Sequence, residues 1–335
     1  MTGMAPPAGL RTPPRRLLLV LGCAFFCSIG TAARAGEPSL LRIRAATVLA
    51  ADLVQTERHY RAWLGYQVRE RGRLPAAVAR SLGAPRMTGL PFMLMSPDAA
   101  PDVCIRFIAM KPPGGFRPMT TWGWNSIEII VDQPQALRGR LGAAPFEVIG
   151  EPAPLNSLPS IHAFQVKGPS REVLYLTAET GDRSKSRLPL PGGEVGRIFI
   201  MVLAGSDIDA MLGWYASTFG LQPGKVRPTP IGVVQRAQGR GADYQYPLAV
   251  MALRDPGNML EFDGYPADTI ARKAPRGRLP PGIAVTSFAV ADLDAVPVTW
   301  LRPPAVLPGK LYAGARSATT RGPAGELIEL IEERR

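Results

Sequence analysis

The chain repeats itself at a period of about 155 residues, and that repeat narrows the folds open to it more than any other feature. Val173–Thr177, in the stretch REVLYLTAE, follows a Gly168-Pro169 turn, and Leu327–Ile331, in GELIELIEE, follows Gly322-Pro323. In each, apolar residues alternate about a polar centre, Tyr175 in one and Glu329 in the other, 154 positions apart. An earlier pair keeps nearly the same offset. Asp52-Leu53, Tyr60 and Leu64-Gly65-Tyr66 return as Asp207-Ile208, Tyr215 and Phe219-Gly220-Leu221, each shifted by 155. Spacings of eight from Asp to Tyr and five from Tyr to Gly survive in both copies, which marks a tandem duplication. A length of 335 residues agrees with two domains of roughly 150 residues each.

Each half reads twice as strand, helix and three strands. In the first round Ile43–Ala50 is a strand, and Asp52 caps a helix over Leu53–Leu64 that Gly65 closes. Strands at Gln67–Gly72, Pro91–Met95 and Val103–Met110 follow, with a helical insertion over 74–89. The Pro112–Gly115 turn opens a second round: strand Ser126–Val131, helix Gln135–Leu141, then strands Phe146–Ile149, Ile161–Val166 and Val173–Thr177. Gly181–Gly193, basic and proline-containing, reads as a linker. The third round is strand Ile198–Leu203, helix Ile208–Phe219 and strands at Lys225–Arg227, Leu248–Leu253 and Met259–Phe262. The fourth is strand Val285–Val290, a helix near Leu293–Trp300, and strands near Leu311, Ala315–Thr320 and Leu327–Ile331. Pro297 predicts that this last helix is short or kinked.

Residues 1–35 read as a secretory leader. Arg15-Arg16 precede the apolar run Leu17–Ile29, and Ala33-Arg34-Ala35 offers a cleavage point before Gly36. The run is too short to span a bilayer comfortably; a retained anchor and a lipoprotein processed at Cys23 are the alternatives. Export predicts a periplasmic or secreted protein with no stable membrane span after cleavage. It also leaves Cys104 as the one cysteine, so no intrachain disulfide can form. Four of the 39 cations and none of the 27 acids leave with the leader, so 35 cations against 27 acids give +8 in place of +12. The remaining cations are scattered and not interleaved with aromatics, which points away from nucleic acid. The charge predicts only weak attraction to anionic surfaces or an anionic ligand.

Four βαβββ units in this order resemble the vicinal oxygen chelate superfamily of glyoxalase I, bleomycin-resistance proteins and extradiol dioxygenases. The resemblance rests on Val48–Leu53 (VLAADL), the helix end Tyr60-x-x-x-Leu64-Gly65, and the Gly-Pro-x-x-Glu turns before the closing strands, and it covers residues 43–332. It implies an α+β fold in which the units pair into two tandem open-barrel domains, here 43–180 and 196–333 joined by a linker at 181–195. In that superfamily the cup inside each barrel holds the ligand.

Strand alternation separates a cup face from a helix-packing face. Leu174 and Leu176 form an apolar row, so Tyr175 faces the other way; Ile105 and Phe107 leave Cys104 and Arg106 opposite; Ile127 and Ile129 leave Ser126 and Glu128. The same rule puts Arg197, Glu261 with Asp263, and Glu329 on the open face of the second half. Metal-dependent relatives carry His or Glu ligands on the first and last strand of each unit. By position the resemblance assigns those places here to Ala45, Arg106, Ser126, Tyr175, Arg197, Glu261, Val285 and Glu329. None is histidine, and a divalent site commonly needs about three suitable ligands, so no metal and no cofactor is expected.

His59 sits beside Tyr60 on the first helix and reads as packing. His162 and Glu128 are the candidates for acid/base catalysis. Arg106, Trp124, Ser126, Tyr175, Arg197, Glu261 and Glu329 are the candidate ligand-binding residues, with Arg106 facing either Glu128 or an anionic ligand group. Cys104 has no histidine near it in sequence and reads as inert. The expected function is capture of a small apolar or anionic molecule in a cup, by a chain compatible with a homodimer. The alternative is an enzyme: a glyoxalase-like lyase or isomerase, a ring-cleaving dioxygenase, or an acid/base catalyst. Fold alone does not choose between them.

Overall fold

A computed structural model describes residues 37–112, 115–141, 145–155 and 158–333, so the leader expected at 1–35 lies outside the described residues. The first unit contains β1 (Leu40–Ala50), α1 (Leu53–Leu64), β2 (Gln67–Arg73), α2 (Ala76–Ser81), β3 (Pro91–Ser96) and β4 (Cys104–Ala109). The second contains β5 (Thr121–Val131), α3 (Pro134–Leu141), β6 (Glu147–Leu155), β7 (Leu158–Lys167) and β8 (Val173–Glu179). The third contains β9 (Val195–Gly205), α4 (Ile208–Phe219), β10 (Arg227–Thr229), α5 (Gly232–Gln238), β11 (Tyr246–Ala252) and β12 (Met259–Gly264). After the short β13 (Ile270–Ala271), the fourth contains β14 (Ile283–Val290), β15 (Ala305–Val306), β16 (Arg316–Arg321) and β17 (Leu327–Glu332).

The repeated Asp and Gly act as the spacing predicts. Asp52 accepts from the Gln55 amide at 3.0 Å and Asp207 from the Ala210 amide at 2.9 Å, satisfying a first-turn donor of α1 and of α4. Gly65 and Gly220 both end their helices at φ 68°, in the left-handed region that glycine enters without steric cost. The helix expected near Leu293–Trp300 does not form. Pro297 breaks the amide ladder, and the segment turns instead, burying Leu293 and Val296 where a helix would have packed. Leu311 lies in a turn as well. The inserted segment 74–89 holds α2 and a 3-10 turn at Pro85–Met87.

Two sheets result, of eight and nine strands, but the units pair crosswise. One sheet runs β15-β16-β17-β14-β1-β4-β3-β2 and so joins units one and four; the other runs β10-β11-β12-β9-β5-β8-β7-β6 and joins units two and three. At each centre two first strands meet antiparallel, β1 with β14 and β5 with β9. The sheets therefore do not follow the division into 43–180 and 196–333. No cup combines Arg106 with Glu128, because the two residues lie in different sheets.

The repeated Tyr and the repeated Gly-Pro-x-x-Glu turn prove to be partners. Tyr60 of α1 donates to Glu172 Oε1 at 2.7 Å, and Tyr215 of α4 donates to Glu326 Oε1 at 2.9 Å. Each bond ties a helix of one sheet's unit to a closing turn of the other sheet. A Cβ at Gly168 would fall 2.0 Å from Glu172 Oε1, and one at Gly322 1.9 Å from Glu326 Oε1, so glycine leaves the room the carboxyl occupies. The convex faces of both sheets share an apolar core with α1, α3 and α4, in which Trp124 of β5 lies against Phe288 of β14. Burying each large side chain there contributes about 1.5–3 kcal/mol. Among the described residues, no helix is long and apolar enough to cross a membrane.

Candidate functional site

The repeat makes the two inner faces comparable position by position. Thr47, Arg106, Ser287 and Glu329 in the sheet of units one and four correspond to Val202, Glu261, Glu128 and Tyr175 in the other. The correspondence follows from the 155-residue offset and from strand register: Ser287 pairs with Ala45 and Glu329, as Glu128 pairs with Ile200 and Tyr175.

On the first of these faces the charged groups satisfy one another, and the Thr319 hydroxyl beside Glu329 is buried without a partner. Arg106 donates to Thr47 Oγ1 at 2.9 Å, to the Tyr312 hydroxyl at 2.8 Å and to Glu329 Oε2 at 2.9 Å. Tyr312 donates its own hydroxyl hydrogen bond to Glu329 Oε1 at 2.8 Å, and Ser287 donates to Glu329 Oε2. The carboxylate and the Tyr312 oxygen hold the Arg106 guanidinium protonated above its ordinary range against the pull of burial. Leu74, Val78, Phe92, Leu94 and Leu311 close over the pair and leave a cavity of about 10 Å³, at the lower limit for one water. The guanidinium that the sequence offered to an anionic ligand is already held by Glu329.

The second face is not complete. Ser126 and Glu128 of β5, Tyr175 and Thr177 of β8, and Glu261 and Asp263 of β12 share it with Tyr265. Thr177 donates to Glu128 Oε1 at 2.5 Å. Both Asp263 carboxylate oxygens and the hydroxyls of Ser126, Tyr175 and Tyr265 are buried without a hydrogen-bond partner. Tyr175 lies beside Ser126 without reaching hydrogen-bond geometry. Burial pushes Glu128 up to about 7, with Thr177 pulling the other way. Asp263 rises to about 7, first through burial and then through the charge of Glu128. Glu261 is raised well above the usual carboxylate range by burial, then by Asp263 and Glu128; its carboxyl is enclosed although the residue keeps some exposure. Val233 and Val234 of α5, with Tyr246, cover one end of the face, and Ile130, Phe199, Ile200 and Val202 line the other.

The candidates named from sequence are thus divided. Ser126, Tyr175, Glu128 and Glu261 meet on one face, and Arg106 and Glu329 are bonded on the other. Trp124 lies in the core between the sheets, its Nε1 donating to the Leu327 carbonyl at 2.8 Å, and reaches neither cup. His162 shares the helix-packing face of β7 with Phe164 and Val166, and its Nδ1 lies 3.0 Å from Gln135 Nε2. Arg197, at the start of β9, donates to the Ile198 and Gly257 carbonyls and to Asn258 Oδ1, outside both cups. Cys104 is buried and its thiol pushed up to about 11, which suppresses the reactive thiolate. Sequence reasoning did not single out Thr177, Tyr265, Tyr312 or α5. Alternation along β8 already placed Thr177 beside Tyr175, but α5 follows Pro230 and has no side-chain cap to announce it.

The resemblance drawn from the sequence implies a divalent metal on such a face. With Arg106 in place, the first face offers a cation where a ligand would stand. On the second, hard oxygen donors are present, but among the described residues no three His, Cys, Asp or Glu side chains are grouped to hold an ion. The residues as placed do not fit a metal.

No family model matches the sequence, and no curated relative does. In structure the chain is similar to glyoxalase I from Zea mays, with a TM-score of 0.59 at 16% identity over 87% of this chain and 92% of that one. It is also similar to a proposed dioxygenase from Bacillus subtilis, with a TM-score of 0.58 at 12% identity over 90% of this chain and 87% of that one. The chain has the α+β, two-barrel fold of the vicinal oxygen chelate superfamily.

Proposed function

We propose that this chain is an exported small-molecule binding protein whose ligand site is the inner face built by units two and three. The observation that carries the reading is the contrast between two equivalent faces. Arg106 and Glu329 satisfy each other on one, whereas the other holds three carboxyl groups, two of them on buried residues, and leaves Ser126, Tyr175 and Tyr265 without partners. Buried polar groups without partners cost free energy, and a ligand supplying their hydrogen bonds recovers it. An anionic ligand suits this face poorly, because Glu128, Glu261 and Asp263 would oppose its charge. The ligand is therefore neutral or cationic, with hydrogen-bond donors.

A second reading is favoured by the same carboxyl groups. Glu128 and Asp263 titrate near 7, which suits a general acid or base at neutral pH. An acid/base lyase or isomerase of glyoxalase type would use them on the bound ligand. The deciding experiment is a thermal-shift screen of metabolite-sized compounds against the purified protein and its Glu128→Gln and Tyr175→Phe variants. Ligands whose stabilisation disappears in both variants support the site. Ligands that stabilise all three proteins equally remove it.

A further inference from the structure

We infer that the face of units two and three is built for an organic cation bearing several N–H donors, an ammonium or guanidinium group, and this rests on the reading of that face as the ligand site. The chain itself shows what completes such a face. In the sheet of units one and four the completing group is a guanidinium, and its N–H groups reach a carboxylate, a tyrosine hydroxyl and a threonine hydroxyl. The residue equivalent to Arg106, 155 positions on, is Glu261. Val202 stands for Thr47 and Tyr175 for Glu329, but Glu128, Glu261 and Asp263 raise the carboxyl groups from one to three while the cation is removed.

Acidic residues alone would not make a site, but a second observation points the same way. Ser126, Tyr175 and Tyr265 are all more than nine-tenths buried, and their hydroxyls have no partner. Tyr175 and Asp263 feel the charge of Glu128, and Tyr175 feels all three carboxyl groups, so hydroxyl and acids converge on one region. A group entering there meets oxygen acceptors on several sides. Tyr175, Tyr246 and Tyr265 add ring faces, with the last two 5.9 Å apart between centroids, and such rings attract a desolvated cation.

Isothermal titration calorimetry on the purified chain tests this with agmatine and benzylammonium against benzyl alcohol, benzoate and Mn²⁺. The cationic organic probes are expected to bind, and Glu261→Gln with Asp263→Asn is expected to weaken them at least tenfold. Those amides resemble the neutral acids in shape, so the fold should tolerate them. Glu261→Arg, which copies the residue of the completed face, should abolish binding and raise Tm. Benzoate or benzyl alcohol binding as tightly as benzylammonium, and losing affinity with Glu261, would overturn the cation while leaving the site in place. Mn²⁺ binding without the organic cations would overturn it too. So would cationic probes that fail to bind at millimolar concentration. Binding that ignores Glu261→Arg would remove both the cation and the site.

Discussion

The burial of Glu172 and Glu326 makes stability fall as pH rises, which is the reverse of ordinary acid denaturation. Glu172 and Glu326 are 1% and 3% exposed, and burial raises both from 4.5 to about 7 against the hydrogen bonds from Tyr60 and Tyr215. A carboxyl whose folded value is raised binds its proton more tightly in the folded chain. Its contribution is whole below 4.5 and is lost as pH climbs through 7. At about 1.4 kcal/mol per pH unit, the gap costs roughly 3 kcal/mol for each group by pH 8. Two such groups approach half of the roughly 5–15 kcal/mol typical of a domain, so the effect is measurable. Asp102 and Glu57 are held below the carboxylate range by arginine partners, and they weaken the fold only at lower pH. Urea unfolding followed by tryptophan fluorescence at pH 5 and pH 8 should show the greater stability at pH 5. Glu128, Glu261 and Asp263 act with the same sign, so the measurement is read against a Glu172→Gln, Glu326→Gln double variant, whose pH dependence should be several kcal/mol shallower. A double variant with the pH dependence of the parent would refute the argument.

Other outcomes follow from the same contacts. Arg106→Met leaves Glu329 fully buried without its cation and should cost about 3–5 kcal/mol in urea unfolding, while ligand affinity on the other face stays unchanged. Gly168→Ala forces a Cβ onto Glu172 Oε1 and should cost roughly 1–3 kcal/mol, whereas Gly213→Ala in α4, with nothing within 4 Å, should gain up to about 1 kcal/mol. Mass spectrometry of the envelope fraction should find a chain beginning at Gly36; one still beginning at Met1 and held in membrane would reject export.

Much of the fold was legible because its signals are local. Asp caps, glycine stops and two-residue alternation act within a few positions, and they located α1, α4 and most of the strands from sequence, though not β13 or β15. Which unit pairs with which was not legible, since every unit offers a similar first strand and the choice lies in contacts between strands more than a hundred residues apart. Alternation correctly sent Arg106, Glu128, Tyr175, Glu261 and Glu329 to inner faces. It could not say that Arg106 and Glu329 share one face while Glu128, Tyr175 and Glu261 share the other. Trp124 and His162 failed for a related reason. Trp124 sits beyond the bulge that separates its pairing with Leu203 from that of Ser126 with Val202, and His162 belongs to the row of Phe164 and Val166 that packs toward α3.

The crosswise pairing changes what the duplication can do. Had units one and two shared a sheet, Arg106 and Glu128 would have faced each other and could have neutralised one another. Instead the cation of unit one meets Glu329 of unit four, and the charges that the carboxyl groups of units two and three feel are one another's. Placing Arg106 where Glu261 has its equivalent therefore does two things at once. It makes one face a fixed, buried, closed part of the scaffold, and it leaves the other with carboxyl groups that no cation of its own sheet meets. A single reciprocal exchange, Arg106→Glu with Glu261→Arg, should accordingly move the unmet carboxyl groups to the face of units one and four. Binding that follows the carboxyl groups to that face would establish that charge at this position, more than the surrounding fold, decides which cup takes a ligand. Binding that stays with units two and three despite Glu261→Arg would show that Tyr175, Ser126 and the α5 cover matter more than the acids.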